Sequence, residues 1–323
     1  MIQQIVELVA STKLDRSPLF VAKYPVGISS HVKTIKLLLD IESNDVRMMG
    51  IYGPGGIGKT TIAKAVYNAL FYHFEGGNIF LENVREKSST VDGIIKLQEE
   101  LLFGILDKEV QFRVGSVSKG IDMIKESLPG KRILLILDDV DKMSQIEKFF
   151  GDCDRFAPGS RIIITTRDKY LLATLVNDNL IYGVNKLDKY AALELFSMHA
   201  FRQNKPKKNF LDLAKEFIYC ARGLPLALTI IGVGLFGRTK LEWKFALSKF
   251  KRLVGKDIQE QMRYLPKESL PLGFEFSPTD EELIKHYLRR KYEGHYFEVQ
   301  VIVQVNFYKY EPWELPGIFS FFF

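Results

Sequence analysis

The residue types and spacing between positions 53 and 61 could bind a phosphate chain. This segment reads Gly53-Pro54-Gly55-Gly56-Ile57-Gly58-Lys59-Thr60-Thr61 and fits the pattern G-x-x-x-x-G-K-[ST]. Glycines allow the backbone to curl, so that successive N–H groups point at phosphate oxygens. We expect Lys59 to reach the β and γ phosphates, the Thr60 hydroxyl to coordinate Mg²⁺, and Thr61 to add a phosphate contact. The predicted backbone contacts come from Gly53, Gly55, Gly56, Ile57 and Gly58.

The segments on either side of this loop have the character that the motif requires. Residues 46–52 form a short apolar run typical of a strand, and residues 60–72 have the apolar spacing of an amphipathic helix. A helix that begins near Lys59 adds free N–H donors and a partial positive charge, which both favour a bound anion. The alternative is a glycine-rich strand-to-helix turn with no ligand. The flanking pattern favours nucleotide binding.

Two carboxylates follow a second apolar run. Residues 132–137 read Arg-Ile-Leu-Leu-Ile-Leu and are followed by Asp138 and Asp139. Asp138 at the strand end is expected to hold the Mg²⁺ shell, usually through water. Asp139 is the candidate catalytic residue, placed to polarise an attacking water. The alternative for both residues is an N-cap of the following helix, a position where aspartate is common.

A third strand candidate ends in an arginine. Residues 161–165 read Arg-Ile-Ile-Ile-Thr and lead into Thr166, Arg167 and Asp168. We expect Arg167 to contact the γ-phosphate of a bound nucleotide, a contact that would distinguish ATP from ADP. The alternative is a solvated strand end at which Asp168 is the ion partner of Arg167.

The order of the predicted elements indicates the fold class. The strand candidates lie at 46–52, 79–84, 132–137, 161–165 and 180–184, with helical stretches between them. Such alternation is typical of a parallel α/β sheet covered on both faces, here a P-loop NTPase sheet flanked by helices. From 188 to 252 only helical periodicity remains, which predicts a small helical subdomain. After residue 270 a Pro-rich and aromatic-rich texture predicts a partial α+β C-terminal fragment.

Composition places the chain among ordinary globular proteins. Of the 323 residues, 46% are hydrophobic and 26% are charged, which argues against wholesale disorder and against collagen-like architecture. The net charge of +6 comes from 45 basic and 39 acidic residues that are well mixed, so it permits an anionic partner without implying one.

Cysteine usage and hydropathy bear on the compartment. Cys153 and Cys220 are far apart, which argues against a disulfide scaffold or a zinc finger and fits a reducing cytosol. The most apolar run, 224–236, is shorter than the about 20 residues that cross a bilayer, so it predicts a buried helix and no membrane partner. We expect a cytoplasmic protein, with the nucleus as the alternative location.

Several motifs occur in an order that resembles the NB-ARC module, the nucleotide-binding switch of plant disease-resistance proteins with leucine-rich repeats. They are the loop at 53–61, the run at 134–141, the strand that leads to Arg167, and Gly223-Leu224-Pro225-Leu226-Ala227-Leu228. The likeness covers about residues 20–253. It implies that ADP or ATP binds with Mg²⁺, that the backbone around Val26 contacts adenine, and that Pro225 packs near the base and ribose.

Further segments resemble the subclass of this family that carries a TIR domain. They are residues 80–86, Asp141 and residues 194–201. The departures are equally specific. We expect only a linker-like stub before Tyr24, and no winged-helix subdomain with its Met-His-Asp motif and no repeats after residue 260. The resemblance then implies weak ADP retention, since the ADP-locking histidine and the ligand-sensing surface would be absent.

The C-terminal segment resembles a different family, the plant NAC transcription factors. Residues 270–283 and 306–316 are similar to the first blocks of that domain, and Thr279 with Glu282 forms a capping box. The likeness stops near Gly317, before the basic strands that carry the DNA contacts of that family. Glu275 also stands where the family usually has an arginine, so like charges would oppose a dimer there. The sequence therefore argues against DNA binding.

The predicted organisation has six parts. These are a stub at 1–24, a P-loop domain at 25–185, a helical ARC1-like subdomain at 186–253, a junction at 254–269, a partial NAC-like fragment at 270–317 and an apolar tail at 318–323.

Three functional classes stay open on the sequence. The first is an ADP/ATP-binding switch in plant defence signalling, with signalling or receptor proteins as partners. The second is a slow P-loop ATPase, and the third is a NAC-type transcription regulator. A truncated or fused gene product without a settled role is a fourth interpretation, because one family resemblance changes abruptly to another between residues 258 and 270.

Overall fold

The computed structural model describes residues 18–106, 113–150 and 156–251. Five parallel strands form one sheet in the order β2-β3-β4-β1-β5. The strands are β1 (Arg47–Tyr52), β2 (Asn78–Leu81), β3 (Leu134–Val140), β4 (Arg161–Thr166) and β5 (Ile181–Gly183). Parallel neighbours need crossover connections, and helices supply them here.

The helices occupy most of the remaining described residues. They are α1 (Ile28–Leu39), α2 (Lys59–Leu70), α3 (Val84–Lys87), α4 (Val91–Ile105), α5 (Val117–Ser127), α6 (Met143–Phe150), α7 (Lys169–Ala173), α8 (Lys189–Phe201), α9 (Leu211–Cys220) and α10 (Pro225–Leu235). The described residues 240–251 are also helical and are called α11. Side-chain caps begin several of these helices: Thr90 accepts from the Gly93 N–H, Ser116 from Lys119 and Asp188 from Tyr190.

The chain divides into two compact units. The first unit consists of two segments, the residues up to Gly53 and the residues Lys59–Val184. It contains the sheet and helices α1 to α7. Leu134, Leu135, Ile136 and Leu137 of β3 are all fully buried, as expected for a strand that is covered on both faces. The apolar runs that predicted strands therefore form the centre of this unit.

The second unit contains Pro54–Gly58 and the residues from Asn185 onward, and its described part is helical. Its core is an aromatic cluster around Trp243, which is 1% exposed. The Trp243 ring contacts those of Phe196, Phe201, Phe210 and Phe217. Its indole N–H donates to the Leu235 carbonyl at 3.1 Å, which satisfies the buried polar group.

The predicted fold class is confirmed for the parallel sheet with its flanking helices. The strand predicted at 79–84 is shorter, because Asn83 adopts a left-handed conformation (φ 56°) and Val84 begins α3. The predictions for the junction, the NAC-like fragment and the tail lie outside the described residues, as does most of the N-terminal stub.

The apolar run at 224–236 forms α10, whose residues Ala227, Leu228 and Ile231 are buried. This agrees with the prediction of a buried helix. Across the described ranges, no helix combines the length and the hydropathy that a bilayer span requires.

Candidate functional site

The sheet order brings the chemically interesting strand ends together. β4 lies between β1 and β3, and Thr166 of β4 is paired with Tyr52 on one side and with Val140 on the other. All strands are parallel, so the residues that follow them lie along one edge of the sheet. This carboxyl edge is where open α/β sheets bind ligands.

The glycine loop joins β1 to α2 with the backbone conformations that its glycines permit. Gly56 (φ 71°) and Gly58 (φ 99°) are both in the left-handed region, which is unfavourable for side-chain-bearing residues. The Ile57 N–H donates to the Pro54 carbonyl at 3.4 Å, and the Ile57 side chain is buried. The loop therefore has a definite curled path whose geometry depends on glycine at two positions.

Residues 54–58 and the start of α10 are in contact within the second unit. The Leu226 N–H donates to the Gly56 carbonyl at 3.2 Å, and a Cβ atom at Gly56 would lie 2.9 Å from the Leu226 Cβ. Pro225 is the first residue of α10, a position that suits proline because its missing N–H would have no partner in the helix. Glycine is therefore favoured at position 56 for two reasons: the left-handed backbone angle, and the close approach of the Leu226 side chain.

Lys59 is a buried cation at the start of α2. Its side chain is 7% exposed, and its Nζ donates to the Gly53 carbonyl at 2.8 Å. The pKa of this ammonium is lowered to about 8, chiefly by burial and then by the nearby charge of Arg167, while Asp139 and Asp138 oppose the shift. A bound anion would relieve this unfavourable desolvation, which is the property expected of a phosphate-binding lysine.

Thr60 and Asp138 are joined directly, across 78 residues of sequence. The Thr60 hydroxyl donates to the Asp138 carboxylate at 2.9 Å, and the Thr165 hydroxyl donates to the same carboxylate at 2.7 Å. Asp138 is fully buried, and burial raises the pKa of its carboxyl while both hydroxyl groups oppose that shift. The two donors thus stabilise a buried negative charge beside the loop.

A β-bulge sets the positions of the two aspartates. Leu137 pairs with Ile164, but Val140 pairs with Thr166, so β3 has one more residue than β4 at this point. Within the bulge, Asp139 adopts a left-handed backbone conformation (φ 55°). Its N–H donates to the Thr165 hydroxyl at 2.9 Å. Both aspartates lie within β3 and α6 begins only at Met143, so neither caps the following helix.

The Asp139 carboxylate lies between two arginines. Arg85 Nε is 3.1 Å from one carboxylate oxygen and Arg167 Nε is 3.5 Å from the other. Asp168 instead caps α7 by accepting from the Tyr170 N–H at 2.8 Å. Arg167 thus lies near Asp139 in this structure, while the Asp168 carboxylate also serves as a helix cap.

Two residues of this edge were missed by the sequence analysis, Thr165 and Arg85. Thr165 carried a weak signal, because it is a hydroxyl residue at the end of an otherwise apolar strand. Arg85 follows β2, and β2 is the neighbour of β3 only in the folded sheet. Its relation to Asp139 thus depends on strand order.

The remaining predicted residues are placed as follows. Val26 lies in the turn before α1, where its N–H donates to the Tyr24 carbonyl at 2.9 Å, and Thr61 is half-buried in α2. Val26 belongs to the first unit and Pro225 to the second. Their contacts to a base therefore remain predictions from the family resemblance.

The residues at the loop are of the kind that bind Mg²⁺ together with a nucleotide. In the part of the chain that the structure describes, no group of three or more His, Cys, Asp or Glu residues is placed to hold a metal ion. Mg²⁺ keeps several waters and is commonly bound through one or two side chains and the phosphates of the nucleotide. The Thr60 hydroxyl and the Asp138 carboxylate supply such a pair.

The parallel sheet and the curled glycine loop between β1 and α2 place this chain in the class of P-loop nucleotide-binding proteins. The NB-ARC domain model matches residues 28–206, which is more than half of the 323 residues, and the chain belongs to the NB-ARC family. The No apical meristem (NAM) protein model matches residues 271–323, which lie outside the described residues. The predicted combination of two families is confirmed.

The relatives that this chain matches include plant disease resistance proteins. RPV1 of Vitis rotundifolia is 44% identical over 238 residues, which are 74% of this chain and 17% of that protein. RUN1 of the same species is 46% identical, with 70% and 17% covered. TMV resistance protein N of Nicotiana glutinosa is 38% identical, with 77% and 22% covered. The chain thus spans about a fifth of the length of these curated relatives.

Solved structures with a similar path include Cdc6p from Pyrobaculum aerophilum. The similarity covers 76% of this chain and 78% of that chain, at 12% identity and a TM-score of 0.41.

Proposed function

We propose that this chain is an ADP/ATP-binding molecular switch that acts in plant defence signalling. The observation that carries the proposal is the hydrogen bond from the Thr60 hydroxyl to the Asp138 carboxylate at 2.9 Å, beside the glycine loop. This hydrogen bond joins the two side chains that a P-loop protein uses to bind Mg²⁺. One of them, Thr60, belongs to the segment that is proposed to bind phosphate.

Different residues of this chain would bind the phosphates, the metal ion and the base. The N–H groups of residues 53–58 cradle the phosphates, and Lys59 neutralises their charge from the start of α2. Thr60 and Asp138 would hold Mg²⁺, which supplies further charge neutralisation when it is bound. Thr61 adds a phosphate contact, while Val26 and Pro225 would contact the base and ribose.

The switch requires a group that responds to the third phosphate. Arg167 follows β4 at the carboxyl edge and lies close enough to Lys59 to lower the pKa of that lysine. A γ-phosphate would attract the Arg167 guanidinium, whereas ADP offers no such contact. A ligand shifts an equilibrium only through differential contacts of this kind.

Slow hydrolysis is the second activity that this site supports. Asp139 is the candidate to polarise a water, but its two carboxylate oxygens are directed at Arg85 and Arg167. A base held in this way would act only after one of these contacts opened. We therefore propose slow turnover that resets the switch.

The biological setting is inferred from the relatives. RPV1, RUN1 and N are named as resistance proteins, and each matches 70% or more of this chain, which belongs to the NB-ARC family. Signalling or receptor proteins are the proposed partners, and the cytoplasm is the proposed compartment, with the nucleus as the alternative.

The direct test is to measure the nucleotide that the purified full chain carries and binds. We expect acid-released ADP or ATP in the protein, micromolar or tighter binding of both with Mg²⁺ by calorimetry, and turnover below about 1 s⁻¹, the lower end for typical enzymes. Protein that carries no nucleotide and gives no binding heat would refute the proposal. Rapid multiple turnover would identify a hydrolase instead of a switch.

Nucleotide affinity is expected to fall about tenfold between pH 7 and pH 9, because the pKa of Lys59 lies at about 8 in the ligand-free chain. Below pH 8 the ammonium is already charged and meets the phosphates directly. Above pH 8 the free protein holds a neutral amine, which must take up a proton on binding since the anion favours the charged form.

Calorimetry in two buffers of different ionisation enthalpy measures this proton uptake directly. The matched control is Lys59→Arg, which stays charged over the whole range and should show little uptake. A wild-type affinity that stays constant from pH 7 to pH 9 would contradict the assignment of this titration to Lys59.

A further inference from the structure

The ion bridge formed by Arg85, Asp139 and Arg167 has a shared anion at its centre. The Arg85 and Arg167 Nε atoms are 3.1 Å and 3.5 Å from different oxygens of the Asp139 carboxylate. All three side chains are mostly buried, with exposures of 16%, 14% and 18% for Arg85, Asp139 and Arg167. Buried pairs of this kind are weakly screened, so a change at one arginine affects the other.

The central aspartate is fixed in place, whereas the arginines have long side chains. The Asp139 backbone has φ 55° in the bulge of β3, and its N–H donates to Thr165 at 2.9 Å. Arg85 projects from the short helix α3, and Arg167 follows the end of β4. A rearrangement at this edge would therefore move an arginine side chain more easily than the carboxylate.

A γ-phosphate would compete with Asp139 for Arg167. Both anions suit a guanidinium, and a terminal phosphate carries more charge than a carboxylate. When Arg167 turns to phosphate, Asp139 loses one of the two arginines that pair with it here. The cost of that loss depends on the partner that remains, which is Arg85 in this structure.

We propose that Arg85 is a positioning residue that keeps Asp139 paired when Arg167 moves to the γ-phosphate, and that it thereby sets the preference of the site for ATP over ADP. This inference rests on the proposed nucleotide-binding function. Without the Arg85 charge, Asp139 would hold Arg167 more tightly, and ATP would have to break that pair. ADP has no γ-phosphate, so its binding does not require Arg167 to leave Asp139. The affinity for ADP would therefore depend much less on Arg85 than the affinity for ATP.

The test compares ADP and ATP binding by calorimetry in full-length wild type and Arg85→Gln, with Mg²⁺ present. We expect ATP affinity to fall about tenfold and ADP affinity to change less than about threefold, typical of a coupling between neighbouring charges. The matched control is Lys87→Gln, which removes the same charge from the same helix but pairs with Glu100. It should change neither affinity.

A second pair of variants separates positioning from a general loss of positive charge. In the Asp139→Asn background Arg167 is already released, so adding Arg85→Gln should change ATP affinity by less than about threefold. Arg85→Lys keeps the charge and should restore most of the ATP affinity. An equal loss for ADP and ATP in Arg85→Gln, or the same ATP loss in the Asp139→Asn background, would overturn the proposal. Wild-type protein that binds neither nucleotide would instead refute the proposed function.

Discussion

Replacing Lys59 with alanine is expected to weaken the binding of ADP and ATP by at least about 100-fold, or about 2.7 kcal/mol. Lys59 is 7% exposed, and its ammonium donates to the Gly53 carbonyl at the end of β1. In such a desolvated place a charge-assisted bond to phosphate is strong, and the backbone N–H groups cannot replace the missing charge. Calorimetric titration with Mg²⁺-ADP and Mg²⁺-ATP measures the loss.

The same variant separates binding from folding. Burial lowers the pKa of Lys59 to about 8, so the folded protein holds the charged lysine at a cost. The free energy of unfolding of the Lys59→Ala protein, measured in urea without nucleotide, should therefore equal or exceed that of wild type. A variant that lost both binding and stability would show that Lys59 is a structural residue.

Lys64→Ala is the matched control for this experiment. It removes the same charge from the same helix, where Lys64 pairs with Glu82 at 2.7 Å and is partly exposed. A partly exposed pair contributes up to about 1 kcal/mol, and its loss should leave both nucleotide affinities within about threefold of wild type. Equal effects of the two variants would refute the specific role of Lys59.

Replacing Arg161 with methionine is expected to reduce the free energy of unfolding by about 3 to 5 kcal/mol, although the residue is remote from the loop. Arg161 is fully buried at the start of β4. Its guanidinium donates to backbone carbonyls at the end of α1 and in the following turn, those of Leu39 (2.6 Å), Asp40, Ser43 (2.8 Å) and Asp45 (2.6 Å).

The physical reason is that the Leu39 and Ser43 carbonyls would lose a charged donor, while the Asp40 and Asp45 carbonyls would keep only the backbone N–H groups of Ser43 and Gly159. Methionine has a similar volume and an unbranched side chain, so most of the loss would come from unsatisfied polar groups rather than from a cavity. Burial lowers the pKa of Arg161, while the Asp45 carboxylate 3.5 Å away opposes the shift. Urea unfolding followed by far-UV circular dichroism would measure the change.

Arg47→Met provides the comparison for Arg161→Met. Arg47 also reaches this turn, where it pairs with Asp40 and Asp45, but its side chain is 24% exposed and water can replace it. We expect a loss of less than about 1 kcal/mol. If Arg161→Met were equally mild, the carbonyl cluster would have to be satisfied by water, and the buried role of Arg161 would be wrong.

Local sequence was sufficient for those features whose cause is local. The conformations of Gly56 and Gly58 follow from the glycine loop itself, and the apolar runs before and after it form β1 and α2. Likewise the four successive buried residues of β3 correspond to a strand that is covered on both faces, which a continuous apolar run predicts. These features depend on backbone angles and on hydrophobic periodicity within a few residues.

The bulge in β3 could not be predicted from the local sequence. The apolar run 132–137 predicted a strand that ends before the aspartates, yet β3 continues to Val140 with both aspartates inside it. Nothing in that run specifies an extra residue, because a bulge is defined by the partner strand. The hydrogen bonds from Thr165 and to Thr165 then hold Asp138 and Asp139 in place.

By itself, then, the sequence determined the class of this protein: a glycine loop with its lysine and threonine, strand-end carboxylates, and an arginine after a third strand. Only the tertiary structure decided which charges meet. Arg85 is 54 residues from Asp139 along the chain, and the two are paired because β2 lies next to β3 in the sheet. Strand order depends on the packing free energy of the whole domain, which no short segment encodes.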